Sequence, residues 1–158
     1  MKIYKNFLKK EVFCFLKEQM ISYNFPWYFN KKNKEDLSIY NRQFCHIFFN
    51  NYKVNSDYFH LVQPILDILN PKSLIRIKAN MNLPTENMYE NLPPHVDFDF
   101  SCQTAIFYLN SNNGYTCIEG TKIKSEENKI VIFNSQTKHY GTNCTDKPYR
   151  VVINLNYF

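Results

Sequence analysis

The sequence predicts a mainly β protein whose short strands form two facing sheets, as in a sandwich or jelly roll, with N-terminal helices packed on one sheet. Three observations predict this fold. The 158 residues include 14 Phe and 12 Tyr but only three Gly, and aromatic residues favour strands. Apolar residues change from helical spacing to strict alternation near residue 72. After that point, alternating runs are separated by short polar turns.

Two amphipathic helices are predicted in residues 1–71. Apolar residues at helical spacing predict the first over Lys5–Met20 and the second over Tyr58–Leu69, which Asn70 and Pro71 end. Two short strands are predicted between the helices, on either side of a polar loop. The strands are Trp27–Phe29 and Gln43–Phe49, and the loop is Asn30–Leu37.

Seven strands are predicted after residue 72. They are Leu74–Met81, Thr104–Leu109, Tyr115–Glu119, Lys122–Lys124, Ile130–Phe133, His139–Asn143 and Tyr149–Phe158. The connections at residues 110–114 and 125–128 have the composition of tight turns. No internal repeat and no linker rich in Pro, Gly or Ser divides the chain. We therefore predict a single domain over residues 1–158, in which residues 1–71 support a β-core at residues 72–158.

The charge and hydropathy patterns exclude two classes of partner. A formal net charge of +5 comes from 16 Lys and only three Arg. Because the lysines are spread along the chain rather than clustered, they predict a solvated surface, and we expect no nucleic-acid partner. The longest apolar stretches have four or five residues, whereas crossing a bilayer takes about 20, so we expect no membrane span.

Cysteine usage predicts the compartment. Five cysteines at irregular spacings form no CxxC pair, so we expect free thiols rather than a zinc knuckle or a disulfide framework. Lys9, Lys10 and Glu11 interrupt the apolar run near the N-terminus, which is not the pattern of a secretory leader. Both features predict a cytoplasmic protein.

The four histidines divide into two structural residues and two candidate metal ligands. His46 and His60 have no carboxylate or second histidine at ligand spacing on the same element. His95 and Asp97 are two residues apart in an extended segment, so their side chains lie on one face. His139, near the start of a later strand, supplies a third ligand. Two histidines and a carboxylate form the facial triad of non-haem Fe(II) oxygenases, which leaves coordination positions open.

Arg150 opens the last predicted strand. Alternation places Arg150, Val152, Asn154 and Asn156 on one face of this strand and apolar residues on the other. If only the apolar face is buried, Arg150 is an ordinary surface residue. If the polar face lines the mouth of a barrel, the guanidinium can hold a dicarboxylate through paired hydrogen bonds.

Together, these residues resemble the Fe(II)/2-oxoglutarate dioxygenases. The matching set, in chain order, is His95-x-Asp97, Thr104–Asn110, Asn113–Thr116, His139 and Arg150. Within the superfamily, the chain looks most like the prolyl-hydroxylase-type branch, which includes small phage- and bacterium-encoded members. The resemblance covers roughly residues 72–158. It implies that residues 1–158 form one dioxygenase domain, located in the host cytoplasm if a phage encodes it.

The resemblance implies a double-stranded β-helix, a jelly-roll and cupin-like variant with a metal near one open end. His95, Asp97 and His139 would be the catalytic metal ligands, binding Fe(II), with 2-oxoglutarate and O₂ as co-substrates. Arg150 would pair with the far carboxylate of 2-oxoglutarate, helped by the Tyr108 hydroxyl. Two residues that alternate with Tyr108 would line the lumen; they are Thr104 and Ile106.

The chain departs from the family at one strand. The family usually has a Tyr shortly before the HxD segment, and the corresponding strand, Leu74–Asn80, has none. Arg76, Lys78 and Asn80 alternate on that strand, and we expect Asn80 to replace the missing contact. We also expect two amides of the last strand to face the lumen and to contact water, co-substrate or substrate, because buried unpaired amides cost about 1–3 kcal/mol each. These are Asn154 and Asn156.

The reaction implied by the resemblance is hydroxylation of a substrate C–H bond, with release of succinate and CO₂. We expect a prolyl or other peptidyl substrate, covered by a lid formed by the loop Leu83–Pro94. A free amino acid or another small metabolite is the alternative substrate, and a non-catalytic jelly-roll binding module is the alternative function. Nucleic-acid repair of the AlkB kind is disfavoured because that branch carries a second Arg where this chain has Asn156. The oligomeric state does not follow from the sequence.

Overall fold

The computed structural model describes residues 1–30, 43–90 and 92–158. These residues form eleven strands, two α-helices and a 3-10 helix. In chain order they are β1 (Lys2–Tyr4), α1 (Lys10–Ile21), β2 (Tyr28–Asn30), β3 (Gln43–Asn50), β4 (Lys53–Val54), the 3-10 helix (Asp57–Val62), α2 (Gln63–Leu69), β5 (Leu74–Asn82), β6 (Gln103–Tyr108), β7 (Tyr115–Ile118), β8 (Thr121–Lys124), β9 (Lys129–Asn134), β10 (His139–Gly141) and β11 (Arg150–Tyr157).

The strands form one large and one small antiparallel sheet. The large sheet has the order β1-β9-β6-β11-β5-β3-β2, with β4 paired to β3, and the small sheet has the order β10-β7-β8. The last strand, β11, therefore lies in the middle of the large sheet, hydrogen-bonded to β5 on one side and β6 on the other. This arrangement confirms the predicted mainly β, jelly-roll class.

An apolar layer packs between the two sheets. Ile106, Val131 and Val152 project into it from the large sheet, and Ile118 and Ile123 project from the small sheet. All five are buried. The layer holds the small sheet against one face of the large sheet, and the polar residues of β5 on that same face are partly exposed.

The opposite face of the large sheet is covered by the helices. Buried residues of α1 and α2 share one core with alternate residues of the central strands. Phe13 of α1, for example, packs edge-on against Phe107 of β6, with 6.1 Å between the ring centroids. The prediction that the N-terminal helices pack on one sheet is thus confirmed. Neither helix in the described ranges is long and apolar enough to cross a membrane.

The first helix is shorter than predicted. It begins only at Lys10. The chain before it starts with an edge strand, Lys2–Tyr4, which is paired with β9. Asn6 then turns the chain with a φ of 51°, and the Asn128 side chain exchanges two hydrogen bonds with the Leu8 backbone. Leu8 is buried in the same core as the helix, which is why the apolar spacing extends beyond the helix itself.

The second predicted helix has the expected position but two parts. Its first turns are the 3-10 helix, whose start is capped by the Ser56 hydroxyl accepting from the Tyr58 N–H. The α-helix α2 follows and ends at Asn70, which adopts a left-handed conformation with a φ of 48°. The predicted end at Asn70 is therefore confirmed.

The seven strands predicted after residue 72 are all present, with small differences at their ends. The strand that begins at His139 ends at Gly141, earlier than predicted. The short strands β1 and β4 were not expected. The predicted loop at 30–37 lies, after Asn30, outside the described residues.

Replacing Leu16 by Ala is expected to destabilise the protein by about 2–5 kcal/mol, because the side chain is only 1% exposed in the core under α1. The neighbouring Phe15 is 54% exposed, so Phe15→Ala should change the free energy of unfolding by less than about 0.5 kcal/mol. Denaturant unfolding of both variants measures the difference. Equal unfolding midpoints would contradict the predicted orientation of the helix.

Candidate metal centre

A cavity of about 630 Å³ lies between the two sheets, beside the apolar layer. Strands β5 and β11 of the large sheet form one wall, and β7 and β10 of the small sheet contribute to the other. His95, Asp97, His139 and Arg150 all line this cavity. The residues predicted to form the site therefore meet in one place.

The three predicted metal ligands converge. His95, Asp97 and His139 each offer a ligand atom, and these atoms all lie within 4.8 Å of one another. The backbones of His95 and His139 are joined by two hydrogen bonds of 2.9 Å, each N–H donating to the other carbonyl. The Asp97 N–H donates to the Ser135 carbonyl at 3.0 Å. Backbone pairing thus holds the HxD segment beside β10.

The His139 ring is oriented by its surroundings. Its Nδ1 lies 2.9 Å from the carbonyl of Thr137, so Nδ1 carries the proton that is donated and Nε2 is left with a lone pair. Nε2 lies 4.0 Å from Oδ2 of Asp97. Phe133 packs against the ring, with 4.9 Å between centroids. This buried imidazole therefore presents a ligand atom towards the Asp97 carboxylate.

Both oxygens of Asp97 accept hydrogen bonds from the large sheet. Arg76 Nη2 donates to Oδ1 at 3.0 Å, while Thr104 Oγ1 and Asn156 Nδ2 donate to Oδ2 at 2.8 and 2.9 Å. The three donors stand in one cross-strand row, since Asn156 is directly opposite both Arg76 and Thr104. The row fixes the orientation of a carboxylate that is only 5% exposed.

The same contacts set the charge state of Asp97. Burial alone would raise the pKa of this carboxyl, but the hydrogen bonds from Asn156 and Thr104 and the positive charge of Arg76 together lower the pKa below its ordinary value. Asp97 is therefore ionised at neutral pH. An anionic oxygen and two imidazole nitrogens are a donor set that suits Fe(II) and leaves coordination positions open, so the residues fit the metal that the resemblance implies.

Arg150 is a buried cation. It is 2% exposed, and its Nε and Nη2 donate to the hydroxyls of Ser125 at 2.8 Å and Thr116 at 3.0 Å. Within the part of the chain that the structure describes, no carboxylate lies within ion-pair distance of this guanidinium. Burial lowers the pKa of Arg150. An unpaired buried charge is costly, which marks this end of the cavity as a site for an anion.

Two glycines leave space around the guanidinium. A Cβ on Gly114 would lie 2.7 Å from Cδ of Arg150 and 2.4 Å from the carbonyl oxygen of Asn143. A Cβ on Gly141 would lie 3.4 Å from Nη1 of Arg150, on a residue that lines the cavity. The Arg150 side chain thus extends past Gly114, the residue before β7, and Gly141 of β10, because neither residue carries a side chain.

Tyr108 lies beside Arg150, where the sequence predicts it. Its hydroxyl donates to Thr116 Oγ1 at 3.0 Å, the oxygen that also accepts from Arg150. The guanidinium carbon lies 5.8 Å from the Tyr108 ring centroid. Burial raises the pKa of Tyr108, so the phenol stays protonated. Arg150, Tyr108 and Thr116 therefore form one buried cluster of donors.

Comparison with known proteins identifies structures that share this fold. No protein-family model and no curated protein sequence matches the chain. A prolyl hydroxylase from Trichoplax adhaerens, solved in complex with a peptide fragment of the hypoxia inducible factor oxygen degradation domain, aligns with a TM-score of 0.67 at 15% identity, over 99% of this chain and 82% of that chain. A Pseudomonas putida prolyl-4-hydroxylase aligns with a TM-score of 0.65 at 13% identity, over 99% and 91%.

A viral collagen prolyl hydroxylase from Paramecium Bursaria Chlorella virus-1 also aligns, with a TM-score of 0.55 at 14% identity, over 98% of this chain and 87% of that chain. The chain has the prolyl-hydroxylase fold. At these identities the likeness is one of fold, and it confirms the architecture that the resemblance implied. The first two alignments cover 99% of this chain and thus extend beyond residues 72–158, the range of the sequence resemblance.

The remaining predicted site residues fall into two groups, those that line the cavity and those that are buried beside Asp97. Ile106, Asn80 and Asn154 line the cavity, while Thr104 and Asn156 are buried in the row that holds Asp97. The Oδ1 atoms of Asn80 and Asn154 are buried without a hydrogen-bond partner. Asn154 therefore faces the cavity as predicted, whereas Asn156 donates to Asp97 and does not line the cavity. Contacts of either amide with co-substrate stay a prediction.

Two residues of the centre were not predicted from the sequence. Arg76 was noted only for its alternation with Lys78 and Asn80, whereas the structure pairs it with Asp97 and places its guanidinium 5.3 Å from the Phe98 ring centroid. Thr116 connects Arg150 to Tyr108. The alternation on β5 could have indicated Arg76, but its pairing with Asp97 requires knowing that β5 neighbours β11.

The other two histidines lie elsewhere, as predicted. His46 is buried with its Nδ1 2.8 Å from the Pro26 carbonyl and its Nε2 2.8 Å from the Ser56 hydroxyl. His60 lies on the exposed side of the 3-10 helix. Neither lines the cavity.

The segment between β5 and the HxD motif runs along one side of the cavity. Its Tyr89 N–H donates to Asn143 Oδ1 at 2.8 Å, and Glu90 Oε1 accepts from the Tyr115 hydroxyl at 3.3 Å. Leu92 and Pro93 line the cavity. The segment is thus anchored to the small sheet, and its role as a lid stays a prediction.

Replacing Asn156 by Leu is expected to weaken metal binding by about 10–100-fold, because the change removes a donor that orients the Asp97 carboxylate. Titration with Mn(II), followed by calorimetry, measures the affinity. Asn154→Leu is the matched control, since Asn154 lies on the same face of β11 without contacting Asp97. Equal affinities for the two variants would contradict the assigned role of the row.

Proposed function

We propose that this protein is an Fe(II)- and 2-oxoglutarate-dependent dioxygenase that hydroxylates a C–H bond of its substrate, releasing succinate and CO₂. One observation carries the proposal. A convergent His95–Asp97–His139 set and an Arg150 guanidinium with no carboxylate partner among the described residues line a single cavity. A binding module that binds neither a metal nor an anion would need neither the three converging ligands nor the buried guanidinium.

His95, Asp97 and His139 are the residues that would hold the iron. When bound, Fe(II) supplies the site at which O₂ is activated for oxidation of the substrate. Asp97 contributes a full negative charge, kept ionised by Arg76, Thr104 and Asn156. His139 contributes its Nε2, since Nδ1 donates to the Thr137 carbonyl. These residues hold their positions through the protein's own hydrogen bonds.

Arg150 would bind the far carboxylate of 2-oxoglutarate. Its Nε and Nη2 are held by Ser125 and Thr116, and Nη1 lies towards Gly141, where no side chain blocks the cavity. The Tyr108 hydroxyl shares Thr116 with the guanidinium and can turn to donate to the same carboxylate. A charge-assisted hydrogen bond of this kind contributes about 1.5–3 kcal/mol.

The apolar layer has a role in this chemistry as well. Ile106 and Val152 line the cavity and belong to the layer between the sheets. They contribute apolar surface to the cavity lining. Apolar surroundings lower the local dielectric, which strengthens the attraction between the guanidinium and a carboxylate.

For the substrate, we infer a peptidyl residue, with proline as the first candidate. The supporting likeness is to prolyl hydroxylases, one of them solved with a peptide. A free amino acid or small metabolite is the alternative. Release of succinate on adding a proline-containing peptide or free L-proline to the Fe(II)- and 2-oxoglutarate-loaded protein distinguishes the two.

Replacing His139 by Ala is expected to abolish measurable Mn(II) binding, because it removes one of the three protein ligands that converge in the cavity. The control is His60→Ala, which removes an exposed histidine outside the cavity. Calorimetric titration under anaerobic conditions measures the Mn(II) affinity of both variants. Unchanged Mn(II) affinity in His139→Ala would overturn the metal centre.

Replacing Arg150 by Leu is expected to weaken 2-oxoglutarate binding on the order of 100-fold, by loss of a charge-assisted hydrogen-bonded pair. Mn(II) affinity in the absence of 2-oxoglutarate should stay within a factor of about 3, since Arg150 contacts none of the three ligands. Titration of the Mn(II)-loaded protein with 2-oxoglutarate measures the affinity for 2-oxoglutarate. Retained 2-oxoglutarate affinity would mean that another residue binds the co-substrate.

A further inference from the structure

A lysine is buried between the two sheets. Lys129 is the first residue of β9, and it is only 4% exposed. It stands directly opposite Tyr108 of β6, and alternation places it on the same face of β9 as Val131 and Phe133, two residues of the apolar layer. Lysine is almost never fully buried unless it is paired. An apolar residue would fill this position without the cost of burying a charge, so the contacts of the ammonium group need a reason.

The ammonium group of Lys129 holds the turn that follows β8, at residues 125–128. It donates to the carbonyl oxygen of Lys124 and lies 3.3 Å from the Glu126 carboxylate. These two partners stand on either side of Ser125 in the chain. Burial lowers the pKa of Lys129, whereas the Glu126 carboxylate opposes this shift. Lys129 thus ties the start of the turn to β9.

Ser125 is the residue of this turn that contacts Arg150. Its hydroxyl accepts from Arg150 Nε at 2.8 Å, and the residue is buried. The Ser125 N–H donates to the Gly114 carbonyl at 2.9 Å, and the Ser125 carbonyl accepts from the Asn112 N–H at 3.2 Å. These backbone contacts hold the turn to residues 112 and 114, and Lys129 holds it to the large sheet.

Tyr108 brings Lys129 and Arg150 to the same ring. The Lys129 ammonium nitrogen lies 5.3 Å from the ring centroid, and the Arg150 guanidinium carbon lies 5.8 Å from it. Lys129 is not among the described residues that line the cavity. Because its charge is paired with Glu126, its main contribution to an anion in the cavity is through the positions of the residues that it contacts.

From these contacts we propose that Lys129 is a positioning residue for the Arg150 end of the cavity. It holds the turn so that the Ser125 hydroxyl keeps Arg150 Nε in place, which leaves Nη1 towards Gly141 and the cavity. The proposal rests on the proposed function, in which Arg150 binds the far carboxylate of 2-oxoglutarate. It adds a residue outside the cavity to those that determine the affinity for the co-substrate.

Titration of the Mn(II)-loaded protein with 2-oxoglutarate under anaerobic conditions tests the proposal. Lys129→Met keeps a long side chain but removes the ammonium group. It should weaken 2-oxoglutarate binding about 10-fold, within the range of couplings inside one hydrogen-bond network. Lys5→Met is the matched control, because Lys5 lies 2.9 Å from the same Glu126 carboxylate but on the surface. This control should leave the affinity within a factor of about 2, and equal affinities for the two variants overturn the proposal.

A second ligand separates positioning from a folding defect. 2-Oxobutanoate retains the 2-oxo acid group of 2-oxoglutarate but lacks the far carboxylate, so its affinity should not depend on Arg150. Lys129→Met should leave the affinities for Mn(II) and 2-oxobutanoate within a factor of about 3. If the variant weakens binding of either one as much as that of 2-oxoglutarate, Lys129 has a structural role alone and the proposal is overturned.

A double-mutant cycle tests the route through Ser125. Ser125→Ala removes the hydroxyl that accepts from Arg150 and should also weaken 2-oxoglutarate binding. Because Lys129 is proposed to act through that hydroxyl, adding Lys129→Met to Ser125→Ala should weaken binding by less than about 3-fold more. A full further loss in the double variant would show that the two residues act independently, which overturns the assigned route.

The unmodified protein separates this proposal from the proposed function. If it binds both Mn(II) and 2-oxoglutarate while Lys129→Met has no effect, only the positioning role is wrong. If it binds Mn(II) but not 2-oxoglutarate, the dioxygenase function is wrong, and the role of Lys129 is overturned with it.

Discussion

The site depends on burying the Asp97 carboxylate without losing its charge. A buried carboxylate is stable as an anion only when donors replace the water that it leaves. The three donors are Arg76, Thr104 and Asn156, one from each of three adjacent strands, aligned in a single row. Because the row spans β5, β11 and β6, the geometry of the carboxylate follows from the register of the large sheet.

Both sheets contribute residues to the Arg150 end of the cavity. Arg150 comes from the first residue of β11 in the large sheet, while Thr116, which holds the guanidinium, comes from the small sheet. Among the described residues this charge has no carboxylate partner, which is a cost that the folded chain bears in advance, and the hydrogen bonds to Ser125 and Thr116 offset part of that cost. Because the guanidinium is already held in position, binding of an anion costs little additional free energy of reorganisation.

Much of this arrangement can be predicted from local patterns in the sequence. The spacing of His95 and Asp97, the alternation on β11 and the composition of the turns predict the strands and the candidate ligands, whereas alternation alone leaves Arg150 either on the surface or in the lumen. Contacts that depend on strand order cannot be predicted in the same way. Arg76 meets Asp97 only because β5 pairs with β11, a strand near the other end of the chain. The start of α1 was wrong for a related reason, since Asn128 holds Leu8 from a distant turn.

The paired backbone hydrogen bonds between His95 and His139 have a further consequence. They join the HxD segment to the small sheet, while the Asp97 side chain joins the same segment to the large sheet. An ion bound by all three ligands would add a third link at this junction, and a ligand that binds only the folded state raises stability by mass action. The folded state would therefore be less stable when the three ligands hold no ion.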